Sequence, residues 1–212
     1  MIRVLIADDH PVMRKGLRTI LTDEIEGVVC AEASDGRETL DMVERGGWDL
    51  VILDISMPGQ NGMETLKEVR RLRPKLPVLV ASVHPEEQYG RRALMAGASG
   101  YLTKGSAPGE LVRAVRQVLA GRPYVSQTMA ESFATHLNAD STQAPHEKLS
   151  DREFEILVLI GSGRATSRIA QELHLSLPTV STYRARILEK MGMTTTAELI
   201  YYAVKSGIVD HS

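Results

Sequence analysis

Five short apolar runs, each followed by an amphipathic stretch, fill the first 120 or so residues of this 212-residue chain, and no other feature constrains the fold as strongly. The runs are Ile2 to Ala7, Val28 to Ala33, Leu50 to Ile55, Val78 to Ser82 and Gly100 to Leu102. Between and after them, apolar residues recur at helical spacing near Val12 to Leu21, Arg37 to Arg45, Gly62 to Leu72, Glu86 to Met95 and Ala107 to Ala120. Continuous rather than alternating apolar runs are strands buried on both faces. Helical crossovers between such strands make them parallel and the connections right-handed. The predicted architecture is therefore α/β: a five-stranded, parallel, doubly wound sheet with helices on both faces.

Periodicity is lost between Asn138 and Glu147, where the residues are polar and read as a linker. From Leu149 onward the pattern is helical. Ser150 precedes Asp151, Arg152 and Glu153, a capping box opening an apolar-periodic helix through Phe154, Leu157, Val158 and Ile160. The expected organisation is a domain over 1–122, a helical or flexible linker over 123–147, and a small all-α, four-helix domain over 148–212. Formal net charge is only −2, but it is unevenly spread. Asp8, Asp9, Asp23, Glu24 and Glu26 lie near the beginning, and Arg164, Arg168, Arg184, Arg186 and Lys190 near the end. This asymmetry suggests an acidic site in one half and a polyanion partner for the other. No apolar run reaches the ~18 residues of a membrane span, and acids stand where a signal peptide would be hydrophobic, so a cytoplasmic protein without a membrane partner is expected. The single cysteine, Cys30, allows no internal disulfide and is expected to be a small core residue.

In an open parallel sheet, functional groups gather at the carboxyl ends of the strands, where the loops diverge. Asp8 and Asp9 end the first predicted strand and Asp54 the third, neighbours in the usual order for five strands of this type. Three carboxylates in one crevice repel one another, a cost that a hard divalent cation relieves. Magnesium is the natural candidate, because it prefers oxygen ligands and is commonly held by one or two carboxylates together with a phosphate. Ser82, ending the fourth strand, and Lys104, following the fifth, bring a hydroxyl and an ammonium to the same rim. Such a set can hold the oxygens of a phosphoryl group attached to one of the acids, since an aspartate can act as nucleophile when cations neutralise the transferred charge. His10, beside the acids, invites a metal-ligand reading, but is read in preference as a loop residue leading into Pro11 at a helix start.

Asp8-Asp9, Asp54-Ile55-Ser56-Met57-Pro58-Gly59 with Gly62, Ser82, and Tyr101-Leu102-Thr103-Lys104 resemble the signature of the flavodoxin-like receiver domain, over essentially residues 1 to 121. The resemblance implies that Asp54 is the phosphoacceptor and that Asp8, Asp9 and Asp54 bind Mg2+ with the Ser56 backbone carbonyl. It also implies that Ser82 is the switch hydroxyl, Tyr101 the switch aromatic, and Lys104 the partner of the phosphoryl group. Ser56 and His84 flank the acceptor where that family carries residues tuning phosphoryl-group lifetime.

The basic half holds two helical patterns, Thr166 to Leu173 and Leu177 to Met191, around His174-Leu175-Ser176, with Ser176 as N-cap, Pro178 in the first turn and Gly192 as the stop. That is a helix-turn-helix. At 100° per residue, Val180, Ile187, Leu188 and Met191 share one side of the second helix, while Ser181, Thr182, Ala185 and Arg186 face away, as in a helix whose beginning enters a major groove. Leu149-Ser150-Asp151-Arg152-Glu153, Ile169-Ala170, Leu175-Ser176, Thr179-Val180, Ile187-Leu188, Lys190-Met191-Gly192 and Glu198-Leu199 are similar to the LuxR-type helix-turn-helix over 148 to 209. Together the halves resemble the NarL/FixJ class of response regulators. The candidate DNA contacts are Thr179, Ser181, Thr182, Tyr183, Arg184, Arg186 and Lys190. Ser181 and Tyr183 depart from the lysine and histidine frequent in that family, which shifts phosphate binding onto Arg184, Arg186 and Lys190. Arg184 lies near the apolar side of the wheel.

What this combination implies is a non-enzymatic DNA-binding regulator, phosphorylated on Asp54 by a sensor histidine kinase. As a homodimer it would read a pseudo-palindromic double-stranded promoter. Two rival classes remain. An aspartyl-phosphate phosphatase or mutase would need Asp-x-Asp after the first strand, whereas here the pair is adjacent. A receiver used only as a protein-binding module is favoured by the missing lysine and histidine.

Overall fold

The computed structural model describes residues 1–57, 62–127, 129–131 and 144–209; Pro58 and Gly59 of the acceptor loop and residues 138–143 of the predicted linker lie outside them. The chain divides into two compact units, Met1–Phe133 and Ala134–Ser212.

In the first unit the apolar runs form strands β1 (Ile2–Ala7), β2 (Val28–Ala33), β3 (Leu50–Leu53), β4 (Val78–Ser82) and β5 (Gly100–Thr103). All pair in parallel, in the order β2-β1-β3-β4-β5. The intervening helices are α1 (Pro11–Glu24), α2 (Gly36–Arg45), α3 (Gly62–Leu72), α4 (Glu86–Met95) and α5 (Pro108–Leu119). Successive strand residues point to opposite faces. On one face Val4, Ile6, Leu50, Ile52, Leu79 and Leu102 pack with Leu17 and Leu21 of α1 and Leu111, Val115 and Val118 of α5. Leu5, Val51 and Leu53 point to the other, and they too are fully buried. Burying each such side chain contributes about 1.5–3 kcal/mol, enough to hold the central strands against the entropy of ordering them. Cys30 departs from expectation: it is half-buried because β2 is an edge strand. β1 lies between β2 and β3, so chain order reverses there, and a crevice opens at the carboxyl ends of β1 and β3.

β3 ends at Leu53, two residues short of the predicted Ile55. The Asp54 N–H makes a last bond to the Ala7 carbonyl at 2.8 Å. The Ser56 N–H then turns back onto the Asp54 Oδ1 at 2.8 Å, an Asx-type turn that takes the chain out of the ladder.

Both ends of the segment read as linker are packed. Tyr124 is 4% exposed, donates its N–H to Ser99 at 2.9 Å, forms a bridge with Gly100, and joins the α1/α5-side core. The Ser126 N–H reaches Glu86 of α4 at 3.3 Å, and Met129, 6% exposed, fits where Gly90 has no side chain. A Cβ on Gly90 would collide with Met129 and Glu86. At the other end, Pro145–Lys148 forms a short 3-10 helix.

The second unit contains α6 (Asp151–Gly161), α7 (Thr166–Glu172), α8 (Leu177–Met191) and α9 (Thr196–Lys205). Phe154, Ile156, Leu157, Ile169, Val180, Ile187, Leu199 and Ala203 are buried among them. His146 of the 3-10 helix sits 2.8 Å from the Tyr202 hydroxyl of α9. α7 and α8 are joined through His174, whose φ of +52 puts a non-glycine residue in the left-handed region that a tight reversal requires. The Ser150–Glu153 capping box is formed in both directions.

Gly90→Val is expected to dislodge Met129, and hydrogen exchange of residues 124–127 and 129–131 should then accelerate at least about tenfold, as expected when locally packed residues lose ~1.4 kcal/mol. Exchange unchanged from wild type would mean that the segment is held by other contacts.

Candidate functional site

At the carboxyl edge of the sheet, the Lys104 Nζ lies 2.7 Å from Asp8 Oδ2 and 2.6 Å from Asp54 Oδ2. The ammonium is 5% exposed and the two carboxylates 2% and 1%, so all three groups are withdrawn from water. Backbone bonds place each of them. The Lys104 N–H donates to the Ser82 carbonyl at 2.7 Å, tying the β5 exit to β4. The His10 N–H donates to Asp8 Oδ1 at 2.8 Å, and Arg14 of α1 clamps the Asp8 carbonyl at 2.6 Å while also bonding Glu32 of β2 at 3.1 Å. This arginine clamp carries no sequence signal beyond a basic residue on a helix, and sequence reasoning did not single it out. Gly62 opens α3 directly against the Asp54 and Ile55 backbone, where any Cβ would overlap Ile55.

Ser82 is buried, its hydroxyl 3.3 Å from that of Ser56 and accepting the His84 N–H at 3.1 Å. The Tyr101 ring is buried as well, and its hydroxyl donates to the His84 carbonyl at 2.9 Å. His84 stacks on Tyr89 of α4 with ring centroids 4.6 Å apart. The structure thus brings Asp8, Asp54, Lys104, Ser56 and Ser82 to one rim, with Asp9 more exposed beside them and Tyr101 behind the β4–α4 loop.

Burial pushes the Asp54 carboxyl above its ordinary pKa, outweighing the opposing effects of Lys104 and the Ser56 N–H. Burial would lower Lys104, but its bonds to Asp54 and Asp8 carry it above the usual value, so it stays charged. Burial lowers His84 and raises Tyr101. The site is therefore short of positive charge. Asp8, Asp9, His10 and Asp54 each offer one ligand atom, and these atoms all lie within 4.8 Å of one another. Asp8 Oδ2 and Asp9 Oδ1 are buried oxygens that meet the Lys104 ammonium at 2.7 Å and the His10 Nδ1 at 2.8 Å, respectively. An oxygen-rich set with spare acceptor capacity fits a hard divalent cation.

In the second unit, Ser176 caps α8 and Gly192 ends it in the left-handed conformation. Val180, Ile187 and Met191 are buried, and Ser181, Thr182, Arg184, Ala185 and Arg186 are exposed, with Tyr183 half-buried. Thr179 bonds Ser176 at 2.7 Å, Thr182 donates to the Pro178 carbonyl at 3.0 Å, and Arg184 donates to Thr196 at 3.1 Å. The Lys190 Nζ is 2.6 Å from Glu153, a carboxylate only 4% exposed. Burial alone would raise Glu153, but Lys190 and the Ser150 N–H together hold it below the ordinary carboxylate value. Among these side chains, Arg186 is exposed with no partner among the described residues.

A parallel sheet presenting a lysine-bridged acid cluster, followed by a helix-turn-helix unit, defines a two-component response regulator with a DNA-binding output domain. Residues 4–116 match the response regulator receiver domain, and residues 147–203 match the luxR family of bacterial regulatory proteins. The chain is 36% identical to the response regulator UvrY of Escherichia coli (strain K12) over 210 residues, covering 98% of this chain and 96% of that protein. It is 38% identical to the response regulator GacA of Pseudomonas aeruginosa over 212 residues, 99% of each. A structure of RcsB from Salmonella enterica serovar Typhimurium, bound to promoter rprA in the presence of phosphomimetic BeF3-, is similar with a TM-score of 0.64 and 26% identity over 95% of this chain and 98% of that one. The chain belongs to the NarL/FixJ family of response regulators and is a transcription regulator by family.

Two outcomes follow from the charge balance. Because Asp54 is raised on folding, its ionised form opposes folding above that raised pKa and the opposition fades as pH falls through it. Asp54→Asn should therefore stabilise the Mg2+-free receiver by roughly 1 kcal/mol in thermal unfolding at neutral pH, and should gain less than wild type from added Mg2+. Glu153 has the opposite sign: its contribution is present above the ordinary carboxylate pKa and lost as pH falls through the depressed one. Lys190→Met should cost about 1 kcal/mol at pH 7, the lysine being partly exposed, and this difference should shrink towards pH 3.

Proposed function

We propose that a sensor histidine kinase transfers a phosphoryl group to Asp54, and that this modification controls dimerisation and promoter binding through the helix-turn-helix. The observation that carries the reading is the Lys104 ammonium held between the Asp8 and Asp54 carboxylates, with the Ser82 and Ser56 hydroxyls on the same rim. In the transfer, an Asp54 carboxylate oxygen attacks phosphorus in line, the donor's phosphorus–nitrogen bond breaks, and the nitrogen leaves with that electron pair. Lys104 and Ser82 receive the transferred oxygens. Asp8, Asp9 and Asp54, with the Ser56 backbone carbonyl, would hold Mg2+, which supplies neutralising charge for those oxygens when bound. The chain carries the group rather than turning over a free substrate, and in that sense is not an enzyme.

Ser82 and Tyr101 both bond the backbone of His84, one to its N–H and one to its carbonyl. Movement of Ser82 towards a phosphoryl oxygen is therefore felt at the start of α4. Phosphorylation shifts the population as far as it favours one arrangement of that loop over another. We assign 1–122 as the receiver, 148–212 as the DNA-binding domain and 123–147 as their connection.

In the major groove, the exposed Ser181, Thr182 and Arg186 lead, with Thr179 and Tyr183 beside them. Arg184 reaches phosphate only by leaving Thr196, and Lys190 only by leaving Glu153. Dimers would read a pseudo-palindrome with half-sites about one helical turn apart. No helix among the described residues is long and apolar enough to cross a membrane, and a cytoplasmic site of action follows from this role.

Treatment with a small phosphodonor and Mg2+ should add one phosphoryl mass to wild type and none to Asp54→Asn. In sedimentation, beryllofluoride with Mg2+ should shift wild type towards dimer and tighten its hold on promoter DNA. Equal mass gain by the variant would overturn the acceptor assignment. Loss of all sequence-selective DNA binding in both states would favour a protein-binding module, the reading that Ser181 and Tyr183 support.

A further inference from the structure

We propose that His10 is an additional ligand of the divalent-cation site, so that this receiver favours later first-row ions such as Co2+ over Mg2+ more strongly than its carboxylates alone would. The inference rests on the reading of the acid cluster as a cation site. It reverses the sequence-based view of His10 as a loop residue only.

The imidazole Nδ1 lies 2.8 Å from Asp9 Oδ1 and 3.3 Å from Asp8 Oδ1, and it belongs to the group of ligand atoms, with Asp54, that all fall within 4.8 Å of one another. Its position is set by the backbone. His10 is the N-cap of α1, with φ −90 and ψ 110, its N–H is bonded to Asp8 Oδ1, and Pro11 follows at the first helical position. The side chain makes no capping bond, so the ring lies beside the acids without capping the start of the helix. The ring is also 64% exposed. It therefore stands on the open side of the cluster, with its ring accessible to a cation that the carboxylates would hold.

A nitrogen donor placed there matters because imidazole suits the later transition ions, whose affinity for a given site rises along the series from Mn2+ through Co2+, whereas Mg2+ gains little from it. The carboxylate oxygens of Asp8, Asp9 and Asp54 in the same group supply the hard donors that complete a mixed nitrogen and oxygen set. The competing account is that the ring merely hydrogen-bonds Asp9. That contact would be indifferent to the identity of the metal.

The test uses the full-length chain, stripped with chelator, with dissociation constants for Mg2+, Mn2+ and Co2+ measured by calorimetry on wild type, His10→Ala and His10→Gln. The ratio of the Mg2+ to the Co2+ constant should fall by about tenfold or more in both variants, the scale of affinity loss when a metal site loses a supporting group. The visible absorption of bound Co2+ should change with it. Circular dichroism confirms that each variant is folded, and His10→Gln keeps a polar side chain at the cap. An unchanged ratio and unchanged Co2+ spectrum in both variants would overturn the proposal, while phosphoryl gain on Asp54 would leave the phosphoacceptor reading intact. If the wild type binds none of the three ions, both readings fall together.

Discussion

One ammonium, that of Lys104, sits between two carboxylates almost entirely removed from water, and the working edge of the sheet is arranged around that imbalance. Two charges about 4 Å apart near a protein surface interact by roughly 4 kcal/mol, so a lone pair of facing aspartates would drive the loops apart. One lysine compensates one of them. In the proposed function, the remaining deficit is what a divalent cation would fill, and such a cation would in turn supply charge for a phosphoryl group. Every backbone bond that places Asp8, Asp54 and Lys104 comes from strand ends or the residues just beyond them, so the site is a direct product of the parallel sheet.

The same edge is connected physically to the chain that leaves the first unit. Ser82 and Tyr101 meet at the backbone of His84, His84 stacks on Tyr89, and α4 also carries Glu86 and Gly90, which receive Ser126 and Met129. The segment beyond α5 therefore rests on the helix that follows the loop in which His84 bonds Ser82 and Tyr101. A rearrangement of the β4–α4 loop has a packed surface on which to act, and no long-range force need be invoked.

In the second unit a buried carboxylate again needs a partner. Glu153 serves twice, closing the capping box with Ser150 and holding Lys190 of α8, so one residue ties α8 to α6. This places Lys190 in the framework of the domain and leaves Arg186 exposed without a partner among the described residues.

The periodicity of the apolar runs determined the five strands and their crossovers, because continuous apolar runs of that length are satisfied only between two helical layers. The order of acids, Ser82 and Lys104 at strand ends likewise pointed to one rim, and Ser176, Pro178 and Gly192 marked the limits of α8. These signals are local, and local propensity reports them. Other features required the assembled structure. Residues 123–131 looked like linker because one buried tyrosine and one methionine make no periodic pattern; what buries them is the Ser99–Gly100 edge and the notch at Gly90, remote in sequence. Cys30 looked like core, but only strand order reveals that β2 is an edge. The Arg14 clamp, the meeting of Ser82 and Tyr101 at His84, and the Glu153–Lys190 pair depend on which residues approach across the fold, a matter settled by packing and charge compensation in three dimensions rather than by spacing along the chain.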